Sequence, residues 1–404
     1  MPYRVAFIGT GGRSVAWARH YVSSDEIEIA ALSDPVAEHR LVMIERSEID
    51  GQPAEYDDWR DMLAEHDDLD GVVISTPNYV HADQAVACVE RGLPVALEKP
   101  LATTRRDCER IIDAQRANNG RTLIGFVLRS SPFYSKIHEL LSSGAIGQVV
   151  SIQADELPGL GVTSVMHRSP WRRFQELSGG AMLEKSCHDL DILNWMVGCR
   201  PVSLNCYGGR MIFCGNPSLP ETCDGCGVAE TCLYYKKPRF SEHEDEGEEI
   251  LHQFIREDAR CIYNIDKDNA DVQSVNIEYE SGTVVNFMLT FNCMGPRSSR
   301  NFHAVGHKGR VWGNLHEAEV YHHDNFSGET VCYDASGDGS GHGGGDRIHA
   351  MQLHRMMDDP DYRPEADAAA GYLSAVMSFA TDLSRQEGRR IDFRYEGADR
   401  IELT

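Results

Sequence analysis

Apolar and polar positions follow a strand and helix alternation up to Phe126. Short apolar runs are separated by amphipathic stretches with helical spacing, which is the pattern of βαβ units around a parallel sheet. The predicted strands are Tyr3–Ile8, Ile27–Leu32, Gly71–Ser75, Pro94–Leu97 and Thr122–Phe126. This pattern predicts an α/β Rossmann domain over residues 1–126.

Beyond Phe126 the pattern changes to longer runs of period two, which are typical of antiparallel strands with one buried and one solvated face. These runs are Val149–Glu156, Val275–Glu280 and Thr283–Thr290, and helices are predicted at Phe133–Ser143, Asp346–Met357 and about Ala368–Gln386. We therefore expect an α+β domain over residues 127–404, built on a large, mostly antiparallel open sheet.

Length and composition narrow the class of protein. A chain of 404 residues with 41% hydrophobic residues can bury two cores. Its formal net charge of -24 disfavours nucleic acid and anionic membranes as partners, because both are bound through a basic face. The start of the chain lacks the pattern of a targeting signal, and no segment has the roughly 20 apolar residues that span a bilayer. We expect a cytoplasmic protein that binds a small molecule.

A glycine-rich turn follows the first predicted strand. The residues Gly9-Thr10-Gly11-Gly12-Arg13-Ser14 match the dinucleotide-binding pattern G-x-G-x-x-G/A, with the small Ser14 in the last place. Glycines suit this turn because a cofactor pyrophosphate must approach the backbone N–H groups at the start of the next helix. We therefore predict that these residues bind a dinucleotide.

Asp34 bears on the choice of dinucleotide. It lies 25 residues after Gly9, where an acid hydrogen-bonds the adenosine ribose 2′-hydroxyl and repels a 2′-phosphate. NAD is therefore favoured over NADP as the cofactor. Capping of a helix that starts at Pro35 is an alternative role for Asp34, and it is compatible with ribose binding.

Three motifs in order along the chain carry a family resemblance. They are Ser75-Thr76-Pro77-Asn78-Tyr79-Val80-His81, then Glu98-Lys99-Pro100-Leu101, and Ser178-Gly179-Gly180-Ala181-Met182-Leu183-Glu184-Lys185-Ser186-Cys187-His188-Asp189-Leu190-Asp191. With them the chain resembles the Gfo/Idh/MocA family, named for glucose–fructose oxidoreductase, inositol dehydrogenase and a rhizopine catabolism protein, over nearly its whole length. The resemblance implies an NAD-dependent oxidoreductase that forms a homo-oligomer, commonly through the open sheet of the second domain.

The resemblance also implies roles for single residues. Ser75, Thr76, Asn78 and His81 would bind the cofactor on the nicotinamide side, Glu98 would contact its ribose, and Lys99 would lie beside the reacting carbon. Independently of the resemblance, oxidation of an alcohol needs a base for the hydroxyl proton and a cation for the developing oxyanion. Lys99 and His188 are the best candidates for these catalytic roles.

The predicted helix that carries His188 departs from the common family pattern. Glu184 stands where the family has Asp, and Lys185 stands where it has an apolar residue. Helical spacing lets either residue share a cleft with His188, so both are catalytic candidates and the role of the acid is open. Lys185 is either a second active-site cation that recognises an acidic sugar or a partner of Glu184 and neighbouring acids on a solvated face.

Four further residues are candidates for substrate contact. Arg129 and Tyr134 follow the domain crossover, and Trp171 and Arg172 precede the glycine-led motif. Arginine can hold hydroxyls or carboxylates, and an aromatic face can stack on a sugar ring. Surface packing and salt bridges between domains are the alternative explanation for each of them.

Cysteines cluster in an irregular segment at about residues 214–261, which interrupts the second domain. Cys223, Cys226, Cys232 and Cys261 supply four thiols, and their spacing predicts a structural zinc that pins a polar insertion. An iron–sulfur cluster on the same four positions and free buried thiols are the alternatives. Cys206 and Cys214 are possible substitutes for Cys261.

Together these observations predict hydride transfer between NAD and a secondary alcohol of a sugar, inositol or sugar acid. One alternative is a glycoside hydrolase that recycles its NAD through oxidation, elimination, hydration and reduction. Another is a regulator that binds the dinucleotide without turnover, against which the presence of both Lys99 and His188 argues. Net release of NADH separates the dehydrogenase from the hydrolase.

Overall fold

The computed structural model describes residues 1–236, 259–291, 298–397 and 400–404, which divide into two compact units. The first unit contains Met1–Ser130 and Ser340–Ala375, and the second contains the described part of 131–339 together with Val376–Thr404. The stretch Ser340–Ala375 therefore clusters with the N-terminal sheet, whereas the sequence pattern places it in the second domain. Residues 237–258 of the predicted insertion lie outside the described residues.

A six-stranded parallel sheet, in the order β3-β2-β1-β4-β5-β6, forms the first unit and confirms the predicted Rossmann fold. Its strands are β1 (Tyr3–Ile8), β2 (Ile27–Ser33), β3 (Ala54–Tyr56), β4 (Gly71–Ile74), β5 (Val95–Leu97) and β6 (Thr122–Ile124). Its helices are α1 (Gly12–Tyr21), α2 (Ala37–Arg46), α3 (Trp59–Glu65), α4 (His81–Glu90) and α5 (Arg105–Ala117). The pattern misses β3, because its three residues contain no apolar run.

A ten-stranded sheet forms the second unit, in the order β14-β13-β12-β11-β7-β10-β9-β8-β15-β16. Its strands are β7 (Val149–Glu156), β8 (Pro201–Gly209), β9 (Val272–Tyr279), β10 (Val284–Thr290), β11 (Asn301–Gly306), β12 (Gly309–Asn314), β13 (Glu319–Asp324), β14 (Thr330–Asp334), β15 (Ile391–Tyr395) and β16 (Ile401–Leu403). Only β7 and β10 pair in parallel among the described strands of this sheet, which confirms the mostly antiparallel prediction.

In the described ranges of the chain, helices pack against one face of this sheet and none packs against the other. They include α6 (Pro132–Ser142), α7 (Leu160–Arg168), α8 (Gln175–Ser178) and α9 (Ala181–Val197). Along β10, the buried residues Val285, Phe287 and Leu289 alternate with positions that include the exposed Val284 and Met288. Among the described residues, no helix combines the length and the apolar character that crossing a membrane requires.

Two long helices lie between β14 and β15 along the chain. They are α10 (Gly341–Asp358) and α11 (Ala368–Glu387), and the division of the chain falls within α11. In the first unit, the Tyr21 hydroxyl donates to the Ala350 carbonyl of α10 at 3.1 Å. Gly71 of β4 lies close to this helix, because a Cβ atom there would lie 2.9 Å from the sulfur of Met357. Close packing therefore joins α10 to the parallel sheet.

A histidine is buried in the core of the second unit. His167 of α7 is fully buried, and its ring centroid lies 4.6 Å from that of Phe213 and 5.1 Å from that of Phe291. Burial, with the positive charges of Lys267 and Arg168 nearby, lowers the pKa of His167 to about 3. Since the pKa in the unfolded chain is about 6.5, folding keeps this imidazole neutral across the range between them.

We expect His167→Phe to make the protein less sensitive to acid. The stability that the neutral imidazole contributes is present above pH 6.5 and is lost as the pH falls toward 3, by up to about 1.4 kcal/mol per pH unit. The free energy of unfolding, measured in urea at pH 5, 6 and 7, should therefore fall less steeply in the variant. His323→Phe, at a half-buried position in β13, is the control, and equal slopes for His167→Phe and the parent protein would contradict this account.

Candidate functional site

The glycine-rich turn from Gly9 to Ser14 leads from β1 into α1. Gly9 has φ of +83°, and a Cβ atom on it would lie 2.8 Å from the Thr76 methyl carbon, so only glycine fits there. Beside Gly11 and Gly12 a Cβ atom would meet no atom within 4 Å. The Ser14 hydroxyl donates to the Gly9 carbonyl at 2.5 Å and fixes the turn. The start of α1 is therefore open to a phosphate, as a bound pyrophosphate requires.

Asp34, at the end of β2, holds a buried carboxylate beside this turn. It accepts hydrogen bonds from the backbone N–H groups of Thr10 and Val36, each at 3.0 Å. Burial opposes ionisation, but His39 and these two amides outweigh it and lower the pKa of Asp34. Because α2 starts only at Ala37, with Val36 at its N-cap, Asp34 is not the capping residue of that helix. An ionised acid at this position fits the ribose of NAD and repels a 2′-phosphate.

Glu98, directly after β5, is fixed by two donors on the same oxygen. Arg13 Nε and Trp17 Nε1 each donate to Glu98 Oε1 at 2.8 Å. Burial opposes ionisation of Glu98, but Arg13 and Trp17 outweigh it and lower its pKa. The Arg13 guanidinium also lies 3.4 Å from Asp346 of α10, which in turn pairs with His342 at 3.0 Å. Sequence reasoning misses Asp346, because no local pattern links residues 333 positions apart.

The His81 ring contacts two backbone carbonyl groups, one on each of two separate chain segments. Its two ring nitrogens lie 2.9 Å from the Pro100 carbonyl and 3.0 Å from the Thr76 carbonyl. Lys99 is half-buried and precedes Pro100 through a cis peptide bond. The structure thus brings together the residues predicted on the nicotinamide side, with His81 tying the turn at Lys99 to the end of β4. The neighbouring residues are Ser75, whose hydroxyl hydrogen-bonds that of Ser14, and the buried Asn78.

Two glycines set the start of α9 in the second unit. Gly179 and Gly180 have φ of +81° and +95°, which favour glycine. A Cβ atom on Gly179 would lie 2.1 Å from a Leu183 methyl carbon, and one on Gly180 would lie 2.7 Å from Asp382 Oδ2. The glycine-led motif therefore lets the first turn of α9 pack closely against α11.

One face of α9 carries Glu184 and, one turn later, His188, both of them 5% exposed. Arg172 Nε donates to Glu184 Oε1 at 2.8 Å. The guanidinium carbon of Arg172 lies 4.1 Å from the centroid of the Trp171 ring. The structure therefore groups two substrate candidates with the acid of the glycine-led motif.

The adjacent face of α9 carries Lys185 and Asp189, which join a buried cluster of four charges. Lys185 Nζ lies 2.8 Å from Glu156 Oε1, and Arg300 Nε pairs with the other oxygen of Glu156 and lies 2.9 Å from Asp189 Oδ1. Burial opposes ionisation of Glu156, but Arg300 and Lys185 outweigh it and keep its pKa low. Of the two roles considered for Lys185, this arrangement favours the ion pair, although the partner is Glu156 and the pair is buried.

The remaining substrate candidates lie in other surroundings. Tyr134 is buried, and its ring contacts those of Phe133 and Phe302 edge-on at centroid distances of 5.0 Å and 6.3 Å. Arg129, in the first unit, donates to the Glu365 carbonyl at 3.0 Å. These contacts fit the packing alternative for Tyr134 and a tie between first-unit segments for Arg129.

The prediction of a structural zinc is not supported. In the part of the chain that the structure describes, no group of three or more His, Cys, Asp or Glu side chains is arranged to hold a metal ion. This part includes all four predicted ligands, Cys223, Cys226, Cys232 and Cys261, and each of them is a free cysteine. The same finding removes the support for an iron–sulfur cluster on these positions.

A buried arginine explains the arrangement of this segment. Arg168 Nη2 lies 3.8 Å from the Cys223 sulfur and donates to the Tyr234 carbonyl at 2.7 Å, while its Nε donates to the Arg260 carbonyl at 2.8 Å. Its positive charge beside the Cys223 thiol repels a metal dication and is itself the tie between the chain segments. Spacing alone predicted metal, because it does not show that a guanidinium lies beside Cys223.

Comparison with known proteins agrees with both units. A family model described as "Oxidoreductase family, NAD-binding Rossmann fold" matches residues 3–126, and one described as "GFO/IDH/MocA C-terminal domain" matches residues 134–312. The chain belongs to the Gfo/Idh/MocA family. It is an NAD-binding oxidoreductase, as its three motifs predict.

Individual members of the Gfo/Idh/MocA family match to different extents. The chain is 29% identical to the YteT protein of Bacillus subtilis over 76% of this chain and 77% of YteT. It is 29% identical to the inositol 2-dehydrogenase of Salmonella paratyphi B, over 42% of this chain and 47% of that enzyme. The structure of levoglucosan dehydrogenase in complex with NADH superposes with a TM-score of 0.75 and 19% identity, over 97% of this chain and 99% of that one. This last likeness shows the shared fold.

Replacing Asp34 should weaken the binding of NAD. Asp34→Asn removes the charge that accepts a ribose hydroxyl, and a hydrogen bond to a charged group is worth roughly 1.5–3 kcal/mol. The dissociation constant of NAD, measured by calorimetry, should rise about 10- to 100-fold, and the preference for NAD over NADP should shrink. Asp61→Asn, on the exposed side of α3, is the control. An unchanged preference between the two cofactors would contradict the ribose role.

Replacing Lys185 should destabilise the second unit. Lys185→Met leaves the buried Glu156 with one cation, and breaking a buried ion pair costs roughly 3–5 kcal/mol of unfolding free energy. Lys136→Met, which breaks the exposed Lys136–Glu139 pair, should cost less than about 1 kcal/mol in the same urea titration. The double variant Lys185→Met, Glu156→Gln should recover part of the loss. Full stability with lost turnover in Lys185→Met would instead identify a catalytic cation.

Proposed function

We propose that this protein is an NAD-dependent dehydrogenase that acts on a secondary alcohol of a sugar, inositol or sugar acid. The proposal rests on one observation, which is that two adjacent faces of α9 carry different sets of charged residues. Lys185 and Asp189 are engaged in the buried charge cluster, and the adjacent face carries His188 and Glu184, the latter paired with Arg172. The turn that is open at Gly11 and Gly12, together with the ionised Asp34, supports NAD as the cofactor.

The protein's own groups would handle the proton and the charge on oxygen. NAD, when bound, supplies the hydride acceptor or donor at its nicotinamide ring. An imidazole nitrogen of His188 takes the hydroxyl proton as the carbonyl forms, because oxidation of an alcohol needs a base for that proton. The family resemblance gives Lys99 the other role, that of the cation that stabilises developing negative charge on an oxygen. The assignment of both residues to one reaction rests on the family resemblance.

The glycoside hydrolase alternative loses the support of Lys185, whose charge is engaged by Glu156. An assay at 340 nm separates the alternatives directly. The purified protein and NAD are offered inositols, aldoses, sugar acids and nitrophenyl glycosides. Net NADH with a free sugar or polyol supports the dehydrogenase, and nitrophenol release without net NADH would replace it with the hydrolase. The identity of the substrate, the homo-oligomer and the cytoplasmic location stay predictions.

Loss of either catalytic candidate should reduce turnover, and loss of His188 should spare cofactor binding. We expect Lys99→Ala and His188→Ala each to lower kcat about 10²- to 10⁴-fold, the range for removal of an acid–base group. The dissociation constant of NADH should change less than about threefold in His188→Ala, because the loss lies in the chemical step. Lys136→Ala, on the surface of α6, is the control. Near-normal kcat in either variant would remove that residue from the mechanism.

A further inference from the structure

Three contacts hold Arg172 in a fixed position, two to its side chain and one to its backbone. Its Nε donates to the buried Glu184 carboxylate at 2.8 Å, and its guanidinium plane lies over the Trp171 ring with the carbon 4.1 Å from the centroid. Its own carbonyl accepts a hydrogen bond from Asn269 Nδ2 at 2.5 Å. A long side chain that is ordered in advance loses little conformational freedom when it binds a ligand.

The outer edge of this guanidinium is left for a ligand. Within the described residues, Nη1 and Nη2 of Arg172 contact no protein acceptor, and the side chain is 28% exposed. The neighbouring cations pair with Glu156 and Asp189 and are less exposed, since the side chain of Lys185 is 17% exposed and that of Arg300 is 6% exposed. Among these three cations, Arg172 therefore has the hydrogen-bond donors that an incoming molecule can use.

Glu184 also does not fully neutralise the positive charge of Arg172. Glu184 lies in the first turn of α9, a helix of 17 residues that starts after Gly180 without a side-chain cap. The positive end of the helix dipole shares the negative charge of a carboxylate at that position. The outer edge of Arg172 thus keeps an attraction for a second anion.

Carboxylate is the group that matches this edge. Two parallel N–H groups of a guanidinium meet the two oxygens of a carboxylate in a bidentate pair, and both oxygens only accept. A sugar hydroxyl matches less well, since its own proton finds no acceptor on arginine.

We propose that Arg172 is the specificity residue of this enzyme and binds the carboxylate of a sugar acid substrate through Nη1 and Nη2. Glu184 is its positioning residue. The inference rests on the proposed function and narrows its substrate class from sugars, inositols and sugar acids to the acids. Aldoses and inositols are then poor substrates.

Matched pairs of sugars test this proposal. D-Glucuronate and D-galacturonate differ from D-glucose and D-galactose by a carboxylate in place of the terminal hydroxymethyl group. Binding of all four to the NADH-loaded protein is measured by calorimetry, and turnover with NAD is followed at 340 nm. We expect at least one acid to bind about 10- to 100-fold more tightly than its neutral partner, the range for a charge-assisted hydrogen-bonded pair.

Variants of Arg172 complete the test. Arg172→Gln should remove the preference for the acid and change binding of the neutral sugar less than about threefold, and Arg172→Lys should keep part of the preference. Arg394→Gln, at an exposed site in β15, is the control, and melting temperatures verify that the variants are folded. Equal affinity for acid and neutral sugar, including no binding of either, or a preference that survives Arg172→Gln, would overturn the proposal. Turnover of neutral sugars alone would overturn it and keep the dehydrogenase, whereas tight acid binding without turnover of any sugar would count against the dehydrogenase instead.

Discussion

The buried ion pairs between α9 and its surroundings are the constraint on which the second unit depends. Glu156 of β7 is fully buried, and its ion pairs with Lys185 and Arg300 offset the cost of burying its charge. Such pairs add little net stability over apolar packing, but each partner is costly to remove, so they fix one orientation of the helix. With Lys185 turned toward Glu156, helical geometry turns Glu184 and His188 toward the adjacent face. The chemistry assigned to α9 therefore depends on a cluster that takes no part in it.

Local patterns were enough to predict most of the fold and much of the candidate site. Strand limits such as Tyr3–Ile8 and Val149–Glu156 match the structure because apolar periodicity is set by burial. The glycine-rich turn and Asp34 lie together because strand, turn and helix are contiguous. The partners of these residues were not predictable. Asp346, which reaches Arg13, and Glu156, which reaches Lys185, depend on tertiary packing that no spacing rule encodes.

The cysteine segment shows the opposite case, in which a spacing rule misled. The Cys-x2-Cys spacing of Cys223 and Cys226 is typical of zinc sites, yet the guanidinium of Arg168 lies beside Cys223 and holds the segment through backbone carbonyls. Because the chain is acidic and has few lysines, the position of each buried or half-buried arginine helps to show what the surrounding segment does. Arg168 serves structure, Arg300 serves the charge cluster, and Arg172 keeps an edge for a ligand.

The central claim is that hydride passes from a sugar carbon to NAD with net turnover. It is tested most directly with a substrate that carries deuterium on every ring carbon, by mass spectrometry of the cofactor after many turnovers. The account predicts reduced NAD one mass unit heavier than NADH, accumulating in large molar excess over the enzyme. A sugar product that retains all of its deuterium, with no accumulation of labelled cofactor, would contradict it.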